Sequence, residues 1–272
     1  LGLPVRGRSV TPPQVVIAGG GFAGATCALA LRAFAPDVRV TLVDRQSRFV
    51  TGPFCNTVVA GMNPMSAITQ DHEGLSAAGI KVVHADIEGV DPRAHRIHLA
   101  DGRRIDGDRL VIAPGIDFDW QAIDGYGPQH VDRIPHAWPG GETQLRTLRD
   151  QLRAMPDDGR VVISVPDNPY RCPPGPYERA SLIAHYLSTH KPRSKLLILD
   201  PKDRFSKQGL FLSAWSRLYG TLIEWQGLSD GARVVSVDAG NMTLETDFDV
   251  VRANRGGCAR SVVNSEVVML RC

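Results

Sequence analysis

The stretch QVVIAGGGFAGATCALALRAFAPDVRVTLVD, residues Gln14–Asp44, decides the fold class. A run of β-branched residues predicts a strand, and Gly19, Gly21 and Gly24 follow it at GxGxxG spacing. Small and apolar residues then predict a helix, and a second apolar strand ends at Asp44. Because these parts occur in the right order, we predict a dinucleotide-binding unit rather than a tight turn alone.

Each glycine of this loop has its own physical task. Gly19 permits the tight turn, Gly21 lets the backbone approach a pyrophosphate, and Gly24 lets the helix pack against the strand. The helix N-terminus offers N–H groups and a positive dipole to the phosphates. Asp44, at the end of the second strand, can accept hydrogen bonds from ribose hydroxyls.

Length and composition limit the function classes. The chain has 272 residues, 43% of them hydrophobic and 22% charged, which allows two ordinary domains. A formal net charge of +2 argues against a nucleic-acid partner and against an anionic membrane surface. No run approaches the ~20 apolar residues of a transmembrane segment. We expect residues 1–12 to form a disordered arm.

The cysteines and histidines argue against a metal site. The five cysteines are scattered without a CxxC pair, which makes one special thiol more plausible than zinc or a disulfide scaffold. His185 and His190 stand at a spacing that suits two ligands on one helical face poorly. We therefore predict no metal.

A second strand, loop and helix begin near residue 155 and imitate the first unit. The following strand again ends in an acid, Asp200. The loop at 167–176 is rich in proline and has one glycine, so it lacks the N–H donors of a phosphate cradle. NADH or NADPH is therefore disfavoured as the electron source.

The same loop carries Cys172. Arg171 and the start of the helix would both stabilise a thiolate there, and Glu178 could transfer a proton in the first helical turn. The alternative is that the prolines stiffen a connection and the cysteine is passively buried. The residues alone leave both readings open.

The segments YRCPPGPYERAS, HKPRSKLLILDPKDRFSKQ and FLSAWSRLYG resemble the flavoprotein subunit of flavocytochrome c sulfide dehydrogenase. That family is related to the sulfide:quinone oxidoreductases of the FAD-dependent disulfide reductase group. The similarity covers about residues 13–250. In addition, the strand that ends at Ala113 resembles the one that leaves the FAD domain in flavoproteins with two dinucleotide-binding domains.

The resemblance implies a periplasmic FAD enzyme that oxidises sulfide to sulfur and passes electrons to a c-type cytochrome subunit. It implies a redox disulfide beside the flavin, with Cys172 matching its first cysteine and Glu178 matching a glutamate that handles protons. The predicted cofactor-binding residues are Gly19, Gly21, Phe22, Ala23, Gly24, Asp44, Arg45, Val83, Ala113 and Gly115.

This chain departs from the family at two places. Gly52 stands where the family has the cysteine that links FAD covalently, and Cys55 lies three residues later, so we predict that FAD is held non-covalently. Residues 251–272 do not match the family and look like a truncated or frameshifted end. We therefore expect neither Cys258 nor Cys272 to be the second redox cysteine.

The predicted fold is α/β, with a Rossmann-like FAD-binding domain, a second inserted Rossmann-like domain, and the C-terminal part of the family missing. The predicted divisions are an arm at 1–12, the FAD-binding domain at 13–116, a connection at 117–154, the cysteine-bearing domain at 155–250 and an aberrant tail at 251–272. Two rivals to the sulfide dehydrogenase remain: an inert nucleotide-binding fragment and an NAD(P)H-dependent flavin oxidoreductase.

Overall fold

Two parallel sheets of four strands each organise the chain. The computed structural model describes residues 11–136, 138, 142–252 and 261–264. Contacts divide these residues into two compact units. The first unit holds residues 11–49 and 70–115, and the second holds residues 50–69 and the described residues from 116 onward.

The first unit is built on the sheet β5-β2-β1-β9, in which all neighbouring strands are parallel. In chain order the strands up to residue 115 are β1 (Gln14–Ala18), β2 (Arg39–Asp44), β3 (Arg48–Val50), β4 (Thr69–Asp71), β5 (Lys81–His84), β6 (Ile87–Asp91), β7 (Arg96–Leu99), β8 (Arg104–Asp106) and β9 (Arg109–Ile112). The helices in the same stretch are α1 (Phe22–Phe34), α2 (Cys55–Val59) and α3 (Glu73–Ala77).

Both faces of this sheet are covered, which explains why its strands are continuous apolar runs. On one face Ile17 packs with Ala28 of α1 and Leu75 of α3. On the other face Val16 packs with Ile97 of the antiparallel meander β6-β7-β8. Burying each such aliphatic side chain contributes about 1.5–3 kcal/mol.

The second unit repeats this plan around the sheet β12-β11-β10-β16, again with parallel neighbours. Its strands are β10 (Arg160–Ser164), β11 (Lys195–Leu199), β12 (Ile223–Gln226), β13 (Val234–Asp238), β14 (Thr243–Thr246), β15 (Val250–Arg252) and β16 (Ser261–Asn264). Its further helices are α4 (Glu142–Ala154), α5 (Gly175–His190) and α6 (Gln208–Tyr219). Short 3₁₀ turns span Met65–Ala67, Pro128–His130 and Leu228–Asp230.

The second sheet is also covered on both faces. Ile163 packs with Leu148 of α4 and Ile183 of α5, while Val162 packs with Val237 of the antiparallel meander β13-β14-β15. Each unit is therefore a parallel sheet between helices and a three-stranded meander. The predicted α/β fold with two Rossmann-like domains is confirmed.

The predicted domain boundaries stay a prediction, because compactness does not define a cofactor domain. Residues 50–69 group with the second unit, and the end of the predicted connection forms α4. In the predicted tail, β15 reaches residue 252, and β16 pairs with β10. Residues 1–10 of the predicted arm, and the tail cysteines Cys258 and Cys272, lie outside the described residues.

Candidate functional site

The glycine loop of the first unit joins the end of β1 to the start of α1. Gly19 has φ +105°, and a Cβ there would overlap the Ala113 carbonyl group. A Cβ on Gly24 would overlap the Gly19 carbonyl oxygen. Because these obstacles are backbone atoms, they cannot rotate away as a side chain could. A Cβ on Gly21 would meet only the Phe49 ring, at 3.4 Å, so protein backbone does not crowd this part of the loop.

Side chains form hydrogen bonds with both the N–H and the carbonyl oxygen of Gly20. The Gly20 N–H donates to Asp44 Oδ2 at 2.5 Å, and the Gly20 carbonyl oxygen lies 3.2 Å from His72 Nε2. A carbonyl can only accept, so Nε2 carries the hydrogen. His72 is 6% exposed, and its buried Nδ1 has no hydrogen-bond partner within the described residues. Sequence reasoning missed His72 because it lies 52 residues from Gly20 without a motif of its own.

The N-terminus of α1 is open to a ligand. In this fully described helix, no side chain caps the N-terminus and no acidic residue stands in the first turn. Phe22 is exposed, with its ring edge-on to Phe49 at a centroid distance of 5.1 Å, and Ala23 follows it. The first N–H groups of a helix and its dipole attract an anion. This end of α1 is therefore suited to a phosphate group.

The other predicted cofactor residues lie at the carboxyl ends of the same sheet. Asp44 ends β2, and its Oδ1 accepts from the Gln46 N–H at 2.7 Å. Val83 stands beside Val43 in the β2–β5 register. Ala113 and Gly115 follow β9, and Gly115 has φ +83° with open space where a Cβ would be. Ligands of open α/β sheets bind at this edge.

Arg45 lies at the same edge, next to Asp44, but its side chain forms an ion pair at the protein surface. Its Nε lies 3.3 Å from Asp86 Oδ1, and both side chains are more than 60% exposed. Such a surface pair is worth only about 0–1 kcal/mol, so a phosphate could displace it at low cost.

In the second unit, Cys172 occupies the loop between β10 and α5. The Cys172 carbonyl oxygen accepts from the Gly175 N–H at 2.7 Å, and the Tyr170 hydroxyl donates to the Pro173 carbonyl oxygen at 2.8 Å. Cys172 itself has φ +61°, a conformation that residues other than glycine rarely adopt. Such strain costs roughly 1–3 kcal/mol and is concentrated at functional sites. The loop therefore places a strained cysteine between strand and helix, where the first unit has its glycines.

Glu178 lies in the first turn of α5 and is exposed to solvent. Arg171, the other charged neighbour of Cys172 in sequence, is exposed as well. In the fully described helix α5, no side chain caps the N-terminus. The roles predicted for Cys172 and Glu178 stay predictions.

Asp200 holds the place in the second unit that Asp44 holds in the first, at the end of the second strand. It is completely buried, and protein groups occupy both of its oxygens. Oδ2 accepts from the Tyr177 hydroxyl at 2.6 Å and from Trp225 Nε1 at 3.1 Å, and Oδ1 pairs with Lys202 Nζ at 2.7 Å. Burial and this hydrogen bond raise the pKa of Tyr177 well above its usual range. A ribose cannot reach such a carboxylate.

Cys55 lies at the start of α2, where it is 2% exposed and belongs to the core of the second unit. The buried guanidinium of Arg179 reaches two segments, one of which contains Cys55. Nε donates to Asn56 Oδ1 at 2.8 Å, Nη1 donates to the His136 carbonyl oxygen at 3.0 Å, and Nη2 lies 4.0 Å from Cys55 Sγ. Burial, together with the positive charge of Arg179, lowers the pKa of His136 to about 3. Sequence reasoning missed Arg179 because its partners come from segments distant in the chain.

The described residues hold neither a candidate metal site nor a candidate membrane span. No group of three or more His, Cys, Asp and Glu side chains there could hold a metal ion. Equally, none of the helices in the described part of the chain is long and apolar enough to cross a membrane.

Two family models match the chain and together span residues 13–255. The model for pyridine nucleotide-disulphide oxidoreductases matches residues 13–150, just over half of the chain. The chain belongs to the pyridine nucleotide-disulphide oxidoreductase family. The model for the central part of the sulfide dehydrogenase (flavocytochrome c) flavoprotein chain matches residues 144–255. The predicted resemblance to that flavoprotein is confirmed.

Two individual relatives of the chain are proteins named for sulfide oxidation. The chain is 23% identical over 190 residues to the mitochondrial sulfide:quinone oxidoreductase of Mus musculus, which covers 68% of this chain and 41% of that protein. It is 51% identical over 45 residues to the sulfide dehydrogenase flavoprotein chain of Chlorobaculum thiosulfatiphilum, which covers 16% of this chain and 94% of that sequence.

A solved structure, the sulfide:quinone oxidoreductase of Aquifex aeolicus, shares the fold. It superposes with a TM-score of 0.73 at 21% identity and covers 93% of this chain and 58% of that one. The chain therefore spans about two fifths of the mouse protein and less than three fifths of the Aquifex structure.

Proposed function

We propose that this chain is the FAD-binding and cysteine-bearing part of a flavoprotein that oxidises sulfide to sulfur. The observation that carries the proposal is a contrast between two units of the same architecture. The first has an open glycine loop beside Asp44, whereas the second has a proline-rich loop around Cys172 and a fully occupied Asp200. One nucleotide site and one thiol site fit this chemistry better than two nucleotide sites.

The residues of the first unit fit FAD. Gly19, Gly21 and the start of α1 would hold the pyrophosphate, and Asp44 would accept from ribose hydroxyls. We propose non-covalent binding, since Gly52 has no side chain to form a link and Cys55 is 2% exposed. When bound, FAD supplies an acceptor for an electron pair that can release electrons singly.

Cys172 is the proposed redox sulfur. In the proposed step Cys172 Sγ would first be in a disulfide with a second cysteine other than those of residues 11–252. Sulfide would attack Cys172 Sγ, and an S–S bond to sulfide would form as the disulfide bond breaks. The departing thiolate carries the electron pair, and sulfide sulfur is oxidised from −2 toward zero. Glu178, exposed in the first turn of α5, is the proposed acceptor of the proton that sulfide loses.

The electron acceptor and the location are also part of the proposal. The relative from Chlorobaculum thiosulfatiphilum is named as the flavoprotein chain of a flavocytochrome c, which supports a c-type cytochrome subunit as partner. The same resemblance supports the periplasm as the location. An NAD(P)H-dependent reductase is the less favoured function, because Asp200 and the prolines leave no cradle in the second unit.

The visible spectrum of the purified chain tests the proposal. We expect bound flavin near one per chain, bleached by sulfide under anaerobic conditions. Cys172→Ser should keep the flavin and lose the bleaching, whereas Cys27→Ser, a matched cysteine of the first unit, should keep both. A folded but colourless chain, or a Cys172→Ser variant that bleaches like the parent, would overturn the proposal.

Two further measurements address the cofactor directly. After acid precipitation we expect the flavin in the supernatant, and flavin in the pellet would contradict non-covalent binding. Oxidation of NADH at enzyme-like rates would favour the rival reductase and contradict the reading of the second unit.

A further inference from the structure

A cleft outside the proposed site lies within the second unit. It has a volume of about 320 Å³ and is formed by residues 59–61 at the end of α2, by Arg149 and Arg153 of α4, and by Tyr186 and His190 of α5. Three separate segments thus meet around it. Its volume is at the lower end for binding pockets and suits a small ligand.

The lining is positively charged. Arg149 and Arg153 stand four residues apart, so they project from the same face of α4. Among the described residues, no acidic side chain lines the cleft. The nearby ends of α4 and α5 contribute roughly −0.5 charge each, which two guanidinium groups more than offset. The cleft is therefore net positive and attracts an anion.

Two other arginines of this unit, unlike Arg149 and Arg153, form ion pairs within the described residues. Arg146, one turn earlier on α4, pairs with Glu142 at 3.1 Å, and Arg193 pairs with Asp157 at 2.9 Å. In contrast, Arg149 Nε is buried without any hydrogen-bond partner in the described part of the chain. A buried donor in this state has lost water without replacement, so the Arg149 guanidinium is less tightly held by protein acceptors than the paired guanidinium groups are.

The α5 side of the cleft is held in place. His190 Nδ1 lies 3.1 Å from the Tyr186 carbonyl oxygen, and the two rings stack with centroids 4.6 Å apart. Since the carbonyl accepts, Nδ1 carries the hydrogen. Lys191, the next cation, is used elsewhere: its Nζ donates to the carbonyl oxygens of Arg153 and Met155 at the end of α4. Arg149 and Arg153 are therefore the charged groups available to a ligand.

We propose that this cleft binds a small tetrahedral oxyanion, either a phosphate group or a sulfur oxyanion. Guanidinium groups bind such oxyanions through pairs of parallel N–H···O bonds, which a compact ammonium cannot provide. Nothing in the proposed sulfide chemistry uses this cleft, so the inference is independent of that function.

Titration calorimetry of the 272-residue chain tests the inference, with inorganic phosphate and thiosulfate as separate probes and sodium chloride at matched ionic strength as the blank. We expect saturable one-site binding of at least one probe. The tighter probe identifies the source of the oxyanion. Arg149→Gln and Arg153→Gln should each weaken binding at least tenfold, while Arg146→Gln, on the same helix but paired with Glu142, should bind within twofold of the parent.

Thermal unfolding of each variant guards against misfolding. If Arg149→Gln does not fold, Arg153→Gln decides the question, because Arg153 is exposed and tolerates substitution. The Arg149→Lys variant keeps the positive charge but lacks the planar guanidinium group. It should bind the probe with an affinity between those of the parent and Arg149→Gln. The proposal is overturned if neither probe binds saturably, or if both glutamine variants bind as tightly as the parent.

Discussion

Tyr177 donates its hydroxyl hydrogen to the Asp200 carboxylate across 2.6 Å, inside the core of the second unit. Tyr177 comes from the helix that follows the cysteine loop, and its ring stacks on Phe205 at a centroid distance of 3.7 Å. In a nucleotide-binding unit, an acid at the position of Asp200 would accept hydrogen bonds from a ribose. Here Asp200 instead serves as an internal anchor that accepts hydrogen bonds from buried protein groups. Removing this hydrogen bond should therefore change the free energy of unfolding by a measurable amount.

Tyr177→Phe should lower the free energy of unfolding by about 1–2 kcal/mol. The ring and its stacking remain, but Asp200 Oδ2 loses one of its two donors in a buried site. Urea unfolding monitored by circular dichroism measures the change. Tyr186→Phe, whose hydroxyl has no hydrogen bond within the described residues, is the matched control and should change the value little. Equal stabilities of the Tyr177→Phe variant and the parent would contradict the role of this anchor.

Stability should fall below neutral pH because of His136. Its pKa is about 3 in the folded chain, against an ordinary value of 6.5, so the unfolded chain binds more protons between these values. The contribution of His136 is complete above pH 6.5 and is lost as the pH falls toward 3. It amounts to about 2 kcal/mol between pH 7 and pH 5.

Urea unfolding at pH 5, 6 and 7 compares the parent with His136→Gln. The variant should lose about 2 kcal/mol of the pH dependence, because glutamine does not titrate. If His136→Gln and the parent show the same slope, His136 does not titrate in the way its burial implies.

Gly19→Ala should abolish FAD binding. An added Cβ would overlap the Ala113 carbonyl group, and φ +105° would strain it further. Gly102→Ala is the matched control, since Gly102 also has positive φ, +83°, but lies in open space on a turn of the meander. Quenching of flavin fluorescence on titration measures both. Normal flavin affinity in Gly19→Ala would argue against the glycine loop as the cofactor site.

His72→Phe should weaken FAD binding about tenfold, which corresponds to about 1.4 kcal/mol. The variant loses the hydrogen bond to the Gly20 carbonyl oxygen, which orients the peptide next to the predicted pyrophosphate position. His84→Phe keeps a ring that can stack on His72 and leaves that bond intact, so it should bind flavin like the parent. Flavin titration together with circular dichroism separates an altered loop from an unfolded chain.

Local features of the sequence predicted much of the fold. The spacing of Gly19, Gly21 and Gly24 between two apolar strands was sufficient for the first unit, because each glycine answers a steric demand of its own loop. The second unit followed from the same strand and helix periodicity. The prolines around Cys172 also predicted that its loop has few N–H donors, since each proline removes one by its covalent structure.

Contacts between distant segments could not be predicted in this way. His72 reaches Gly20 across 52 residues, and Arg179 reaches Asn56 across 123. No rule of sequence separation predicts either pair, because the packing of separate segments determines which polar groups come into contact. The role of Asp200 was ambiguous for the same reason, since an acid at the end of a strand can face a ligand or the core.

The sequence by itself determined that a glycine loop follows the first strand of the first unit and that a proline-rich loop takes its place in the second, because glycine and proline act on the backbone wherever they stand. Only the tertiary structure decided which charged side chains are paired inside the protein and which remain available to a ligand. Tyr177 and Lys202 satisfy Asp200, whereas Arg149 and Arg153 face a cleft that no acidic side chain in the described part of the chain lines. The physical reason is that desolvation and pairing depend on neighbours in space, which one-dimensional order does not specify.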